Sequence, residues 1–443
     1  MPTVAPSIEA ETIRKIRLKI LPCIFLLYVV SFLDRINIGF AALTMNKDLA
    51  INGQQFGFLA GLFFVGYSLF EVPSNLLLHK IGARIWIARI LITWGGVAAL
   101  TGFVQNVHQL YLVRFFLGLA EAGYYPGVVL YLSYWFRPRD RAQAIALVLV
   151  GIPVTSILGG PISGLILDHA HWLGVSSWRW LLVLEAIPAI AGGVLTYLFL
   201  PNGPQEAKFL SRDEKAWITA ELAREEERKR GEYQISVMQT FCNLRIWHLA
   251  SIQFTALVGL YSISFWMPQV LKSLFSHYSN TVVGFLVVLP QVAGLVGMVL
   301  VSRSSDRNME RRYHAAIPTA VGGIAWLLLG STTSPVLSIL LLSVVAAGAY
   351  SFAAPFWSLP CEFLTGYAAA SGIALINSIG NLGGFVGPYA IGLLKDKTGS
   401  LSSGLTFVGT SMLVSAMLLM LLPKRLRVRT GLAFAGPRPN ESG

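Results

Sequence analysis

The chain has 443 residues, 54% of them hydrophobic and 13% charged, with a formal net charge of +12 and a mean hydropathy of +0.62. A soluble globular protein carries about 25% charged residues, so half that share cannot clothe a water-facing surface, and a soluble core this greasy would expose too much apolar area. A spanning helix needs about 20 apolar residues, which leaves room for twelve such helices and one long loop.

Taken in chain order, residues 1–19 are polar and read as a cytoplasmic N-terminus. The apolar run 20–42 is too long for a signal-peptide core and lacks a small-residue cleavage site, so it is expected to stay as the first helix. Further spans are expected at 54–78, 86–105, 109–134, 142–167 and 178–200. A second set follows at 246–271, 281–302, 313–331, 336–358, 367–394 and 401–422, with 423–443 as a cytoplasmic tail. The runs are continuous rather than alternating, which excludes a strand barrel. The expected fold is an all-α membrane protein, with half-domains at 20–200 and 246–422.

With the N-terminus inside, 26 of the 34 Lys and Arg fall on the cytoplasmic side and four outside (Lys47, Lys272, Lys395 and Lys397), while Arg35, Arg89, Arg114 and Arg179 lie within spans. That bias places both termini inside. The basic excess therefore signals topology and anionic lipid, and no nucleic-acid partner. The loop 359–366 dissents, holding only Glu362.

Residues 201–245 form the long loop, with eight basic and eight acidic residues. Ser211 and Glu214 make a capping box, and Trp217, Ile218 and Leu222 form an apolar stripe, so an amphipathic helix on the cytoplasmic face is expected. Its last third, Glu225 to Glu232, reads equally as a solvated linker.

The halves share a loop pattern between their second and third spans. It runs Asn75, His79-Lys80, Gly82-Ala83-Arg84 in the first, and Ser302, Asp306-Arg307, Met309-Glu310-Arg311 in the second. Corresponding segments in two halves point to a duplicated transporter. Cys23, Cys242 and Cys361 form neither a disulfide framework nor a metal site.

A charge at the bilayer centre costs at least about 2.5–3.5 kcal/mol. The first half has three cases: Asp34-Arg35 with Asn37 in span one, Glu71 in span two, and Arg114 with Glu121 in span four. Arg114 and Glu121 are seven apart and share a helix face, whereas Asp34 and Arg35 point about 100° apart. Together they are expected to form an ion-pair cluster near mid-membrane, the bland alternative being a fixed staple between helices. Glu71, close to Pro73 and Asn75, could equally serve a helix end.

Asp34-Arg35-Ile36-Asn37-Ile38-Gly39-Phe40-Ala41, Arg114-Phe115-Phe116-Leu117-Gly118-Leu119-Ala120-Glu121-Ala122-Gly123, Tyr125-Pro126-Gly127 and Trp135-Phe136 together resemble the anion:cation symporter family of the major facilitator superfamily. The resemblance runs from residue 14 to about 425. It implies the major facilitator fold of twelve transmembrane helices in two six-helix halves. It makes Asp34 and Glu121 the proton-coupling acids and Arg35 and Arg114 the arginines that meet a substrate carboxylate, with Tyr67 an aromatic hydroxyl in the cavity wall. Asn377 and Asn381 match the family's polar stretch in span eleven, and either could face the substrate.

The second half places no acid or Arg deep in a span and offers Tyr261, Trp266, Gln269, Trp357, Asn377 and Asn381 instead. For Trp357, expected at the substrate, and for Trp266, packing or interfacial anchoring is an equal reading. Gly159-Gly160-Pro161, Gly164, Gly383-Gly384 and Gly387-Pro388 suggest a close-packed seam. No phosphate-binding loop, metal-ligand set or nucleophile–base pair is present, so neither cofactor nor enzymatic activity is expected. The resulting expectation is a monomeric carrier of the cell inner membrane that takes up a small organic anion with protons. Its alternatives are an antiporter or facilitator on the same fold, and a membrane sensor that binds organic acids without moving them.

Overall fold

The structure, a computed structural model, describes residues 8–230, 243–363 and 366–422. Every expected span coincides with helix. The first six are α1 (Ile8–Asp48), α2 (Gly53–Ile81), α3 (Ala83–Thr101), α4 with α5 (Val107–Glu121, Tyr124–Ser133), α6 with α7 (Pro138–Leu149, Gly151–His169) and α8 (Ser177–Phe199). After α9 (Arg212–Arg230) come α10 (Leu244–Leu274), α11 (Asn280–Asn308), α12 (Arg312–Leu329), α13 with α14 (Pro335–Ser351, Ala353–Phe363), α15 with α16 (Gly366–Asn381, Gly383–Thr398) and α17 (Leu401–Met420). Ten stretches are long and apolar enough to cross a membrane by length and composition. The other two expected spans correspond to α12, with 18 residues, and to the interrupted α15–α16 pair.

Four spans that read as continuous in the sequence are broken, and they are the fourth and fifth of each half. The sharpest break is Gly123, whose φ of +83° is the left-handed region that glycine enters without steric cost. The breaks at Val150, Phe352 and Leu382 keep right-handed helical angles, so they are bends rather than turns. Broken helices are tolerated at membrane depth where they border a cavity, and Tyr124, Ile152, Phe352 and Asn381 all do so.

Helix starts follow sequence signals. Asn52 and Gln55 form a reciprocal capping box on α2, and Asn106, Ser279, Ser334 and Ser400 cap α4, α11, α13 and α17. In the repeated loop Gly82 and Met309 both have positive φ, +95° and +50°, but the turns differ, with ψ 149° at Gly82 and 34° at Met309. In the second copy Arg311 Nη1 donates to Asp306 at 2.5 Å. The side chain of His79, in the first copy, lies outside the described residues.

On α9 the capping box forms, with Ser211 N donating to Glu214 at 2.7 Å and Glu214 N to Ser211 at 3.3 Å. Ile218 is buried, with Trp217 and Leu222 packed on the same core. Lys15 reaches Glu214 at 2.8 Å and Arg141 reaches Glu225 at 3.0 Å, so the helix is tied to the first half beyond its apolar stripe. Glu232 and Cys242 lie outside the described residues, as do the side chains of Cys361 and Glu362.

The halves meet most closely at the end of the bundle remote from Ile8. There Asp168, in the last turn of α7, accepts from the backbone N–H groups of Asn280 and Thr281 at 3.1 and 2.7 Å and caps α11. Asp396, in the last turn of α16, accepts from the N–H groups of Gly53 and Gln54 at 3.1 and 2.7 Å and caps α2. Each half thus caps a helix of the other. Glycines permit this approach: a Cβ on Gly160 would sit 2.8 Å from the carbonyl oxygen of Gly284, and one on Gly61 2.7 Å from the ring of Phe385. Of the expected seam, Gly160, Gly164 and Gly384 face the opposite half, while Gly383 and Gly387 face α10 of their own.

Candidate substrate site

A central cavity lies between the halves, walled by Tyr28, Arg35 and Tyr67 from the first and by Tyr261, Trp357 and Asn381 from the second. It runs from Arg35 along α1 past Tyr28, toward the end where the chain begins. Asn377 and Gln253 also border it.

Arg35 is the cation on its wall. Its Nη2 donates to Glu121 Oε1, its Nη1 to Tyr261 Oη at 3.4 Å, and the rings of Phe32, Phe63 and Tyr67 lie 5.0–5.5 Å from its guanidinium carbon. An arginine is more weakly hydrated than an ammonium and suits such an aromatic setting. Ser31 adds a 3.3 Å bond to the same Glu121 oxygen. Burial leaves Arg35 Nε, Glu121 Oε2, Gln253 Oε1 and Tyr124 Oη without partners. Of these residues Arg35, Gln253 and Tyr124 border the cavity.

The expected four-charge cluster forms only in part. Arg35 and Glu121 pair. Asp34 instead accepts from Trp94 Nε1 at 2.9 Å and from Asn37 at 3.4 Å, because its 100° offset from Arg35 aims it at α3. Arg114, 1% exposed, sits behind Phe63, whose ring centre is 5.5 Å away, and its Nε and Nη2 have no partner. It is absent from the cavity wall, as are Asp34 and Glu121.

In the second half, Asn377 and Asn381 both border the cavity, and Asn377 also donates to Glu71 at 2.8 Å. Trp357 borders the cavity and meets Phe356 edge-on. Trp266 is packed: its Nε1 donates to Pro388 O at 3.2 Å and its ring meets Phe56 edge-on at 5.2 Å. Gln269 accepts from Asn46 at 3.4 Å, away from the cavity.

The sequence reading missed Glu185. It lies in α8, 3% exposed, and accepts from Ser163 at 2.7 Å, so the first half holds a fourth case of embedded charge. Its signal was available: an acid seven residues into an apolar run is as costly there as Glu121 is in α4. Among the described residues no His/Cys/Asp/Glu group is arranged to hold a metal.

This architecture has a counterpart in sequence space, since the profile described as Major Facilitator Superfamily matches residues 24–388. The chain belongs to the Major Facilitator Superfamily. Within it the chain is 46% identical to an Agrobacterium vitis protein named "Putative tartrate transporter", over 96% of this chain and 95% of that one. It is 41% identical to the Pseudomonas putida protein named "Putative metabolite transport protein NicT", over 93% and 94%. It is 38% identical to the "Quinolone resistance transporter" of Acinetobacter baumannii, over 94% and 96%. Solved structures of the same fold include the inward open conformation of the Escherichia coli xylose transporter XylE (TM-score 0.72, 16% identity, 91% and 96% covered). A bacterial homologue of the lysosomal transporter Spinster, inward-facing and unoccupied, matches with TM-score 0.70 at 17% identity, over 91% and 95%.

Proposed function

We propose that this protein is a secondary active transporter, not an enzyme, which takes up a small organic carboxylate together with protons by alternating access. The observation that carries the reading is Arg35: a guanidinium on the wall of the central cavity, paired with Glu121. A carboxylate bound there gains charge-assisted hydrogen bonds about twice as strong as neutral ones, in surroundings with little water to screen them. The relatives named for tartrate support a dicarboxylate or sugar acid as the substrate class.

Coupling follows from competition. Ionised, Glu121 occupies Arg35; protonated, it releases the guanidinium to the incoming anion. Proton and anion thereby favour one another, and the coupling is reciprocal. Asp34, whose charge acts on Arg114 without pairing with it, is the second proton-coupling acid of this reading. Tyr67, Asn377, Asn381 and Trp357 complete the substrate's surroundings with neutral hydrogen bonds and aromatic surface. In this reading both termini are cytoplasmic, the protein is a monomer of the cell inner membrane in contact with anionic lipid, and the cavity is poised toward the cytoplasm.

The test is uptake of L-tartrate into proteoliposomes with an inward proton gradient. Wild type should concentrate it, and Glu121→Gln should bind and exchange it without concentrating it. Accumulation by Glu121→Gln equal to wild type would refute the coupling role.

A second reading is favoured by the 38% identity to a quinolone resistance transporter: an exporter on the same fold. Drug efflux from everted vesicles, with no tartrate uptake, would select it.

A further inference from the structure

Four carboxylates lie buried in the core of the first half, Asp34, Glu71, Glu121 and Glu185, with the guanidinium of Arg114, while that of Arg35 is mostly covered and pairs with Glu121. With all six ionised that interior would carry two uncompensated negative charges, which a low-dielectric setting does not tolerate. Protons must therefore reside there at rest. Glu71 accepts from Asn377 and Ser378 of the other half. Glu121 has its arginine. Asp34 has the indole N–H of Trp94 at 2.9 Å and the electrostatic influence of Arg114. Glu185 has the hydroxyl of Ser163 on Oε1 and the side chain of Asn37 nearby, neither of them a cation, and its Oε2 is buried without a hydrogen bond.

Asn37 stands between the two acids. Its Nδ2 donates to Asp34 Oδ1 at 3.4 Å, it also interacts with Glu185, and its own Oδ1 is buried and unpartnered. From the helices packed around Glu185, the facing groups are Asp34 and Asn37 on α1, Ser163 on α7 and Trp94 on α3. Glu121 and Arg114 on α4 lie beyond Asp34.

We propose that Glu185 is a third proton-holding carboxyl of the transport cycle, acting with Asp34 as one titrating unit spaced by Asn37. At rest one of these protons sits on Glu185. In the transfer the O–H bond of Glu185 breaks and one forms on Asp34, so Glu185 becomes the carboxylate, Asp34 the acid, and the total charge is unchanged. The partnerless Oε2 is the oxygen free to swing toward Asp34. With the proton on Asp34, the field acting on Arg114 loses one negative charge, and with the proton back on Glu185 that charge returns. This inference rests on the proton-coupled reading above.

The test needs no known substrate. Infrared titration of purified protein in lipid follows the C=O stretch of protonated carboxyls in wild type, Glu185→Gln, Asp34→Asn and the double variant. Two acids that interact by more than about one pK unit titrate in two steps that belong to the pair. With the double variant subtracted as background, since Glu71 and Glu121 titrate in it too, wild type should show a protonated-carboxyl band at neutral pH and two steps. Glu185→Gln should lose that band and leave a single step.

A band and step count in Glu185→Gln identical to wild type would overturn the proposal. Should Glu185→Gln fold poorly, Ser163→Ala keeps both acids but frees Oε1, and it should move the wild-type midpoints by about one pH unit. Unmoved midpoints count against the proposal equally. Glu121→Gln in tartrate-loaded proteoliposomes separates the two levels. If it still accumulates tartrate on a proton gradient, the parent reading fails. If it does not, while Glu185→Gln leaves the infrared titration unaltered, only the role of Glu185 falls.

Discussion

Glu71 of α2 accepts a 2.8 Å hydrogen bond from the side-chain amide of Asn377 on α15, so that the two halves are joined beside the cavity. Ser378 adds a 3.3 Å bond to the second carboxylate oxygen. Glu71, open between a helix-end role and a functional one in the sequence, thus sits one turn from Tyr67 and grips the opposite half. The tie must break whenever the halves separate at this level. A hydrogen bond to a charged group contributes about 1.5–3 kcal/mol. We therefore expect Glu71→Ala and Asn377→Ala each to change the KM for tartrate exchange by about tenfold. The double variant should be no worse than either single one, with a coupling energy within the same range. Additive effects in that cycle would show that the contact does not matter for transport.

Arg35 and Arg114 should separate kinetically. Arg35 borders the cavity, so Arg35→Ala is expected to abolish both tartrate binding and uptake, and Arg35→Lys to restore little, since an ammonium lacks the planar fork that meets carboxylate, Glu121 and ring faces together. Equilibrium binding on detergent-purified, monodisperse protein is the measurement.

Arg114 lies behind Phe63 and away from the cavity wall. Arg114→Ala should therefore reduce turnover by at least about tenfold while changing the binding constant less than about threefold, the mark of a group that acts after binding. Equal losses in binding and turnover would place Arg114 on the substrate instead.

The latch at Asp168 carries a pH sign. Its carboxylate accepts four hydrogen bonds from Asn280 and Thr281, an arrangement suited to the ionised form. Protonation in acid therefore removes the charge that those donors meet. Asp168→Asn should cost the closed arrangement about 1 kcal/mol after solvent screening, roughly a fivefold shift in population. Spin-label distances between the facing ends of α7 and α11 would report it. The penalty should be present at neutral pH and vanish in acid, where wild type is protonated too.

Much of this was legible in the chain, for physical reasons. Apolar runs of about 20 residues have few ways to fold, so each expected span coincides with helix. Asp34, Arg35, Arg114 and Glu121 stood out because charge at that depth is expensive. The breaks at Gly123, Val150, Phe352 and Leu382 were not legible, because they leave hydropathy unchanged. Nor was the partner of Asp34: the sequence offered two arginines, and the structure gave it Trp94, a choice made by the rotation of α1 against α3. Glu185 was legible by the same rule as Glu71, a lone acid in an apolar run, whereas its partner Ser163 on α7 was not.

The caps at Asp168 and Asp396 have a consequence for how this protein can vary. Both donors to Asp396 are main-chain amides, as are two of the four to Asp168. Main-chain amides persist through nearly every replacement except proline, so Gln54 can drift without loosening the cap on α2. Asn280 and Thr281 also donate from their side chains, and a Cβ on Gly53 would sit 2.6 Å from Asp396. A selection for carriers stuck open at this end should return substitutions at Asp168, Asp396, Gly53, Gly160, Gly284 and Gly392, with Gln54 nearly silent.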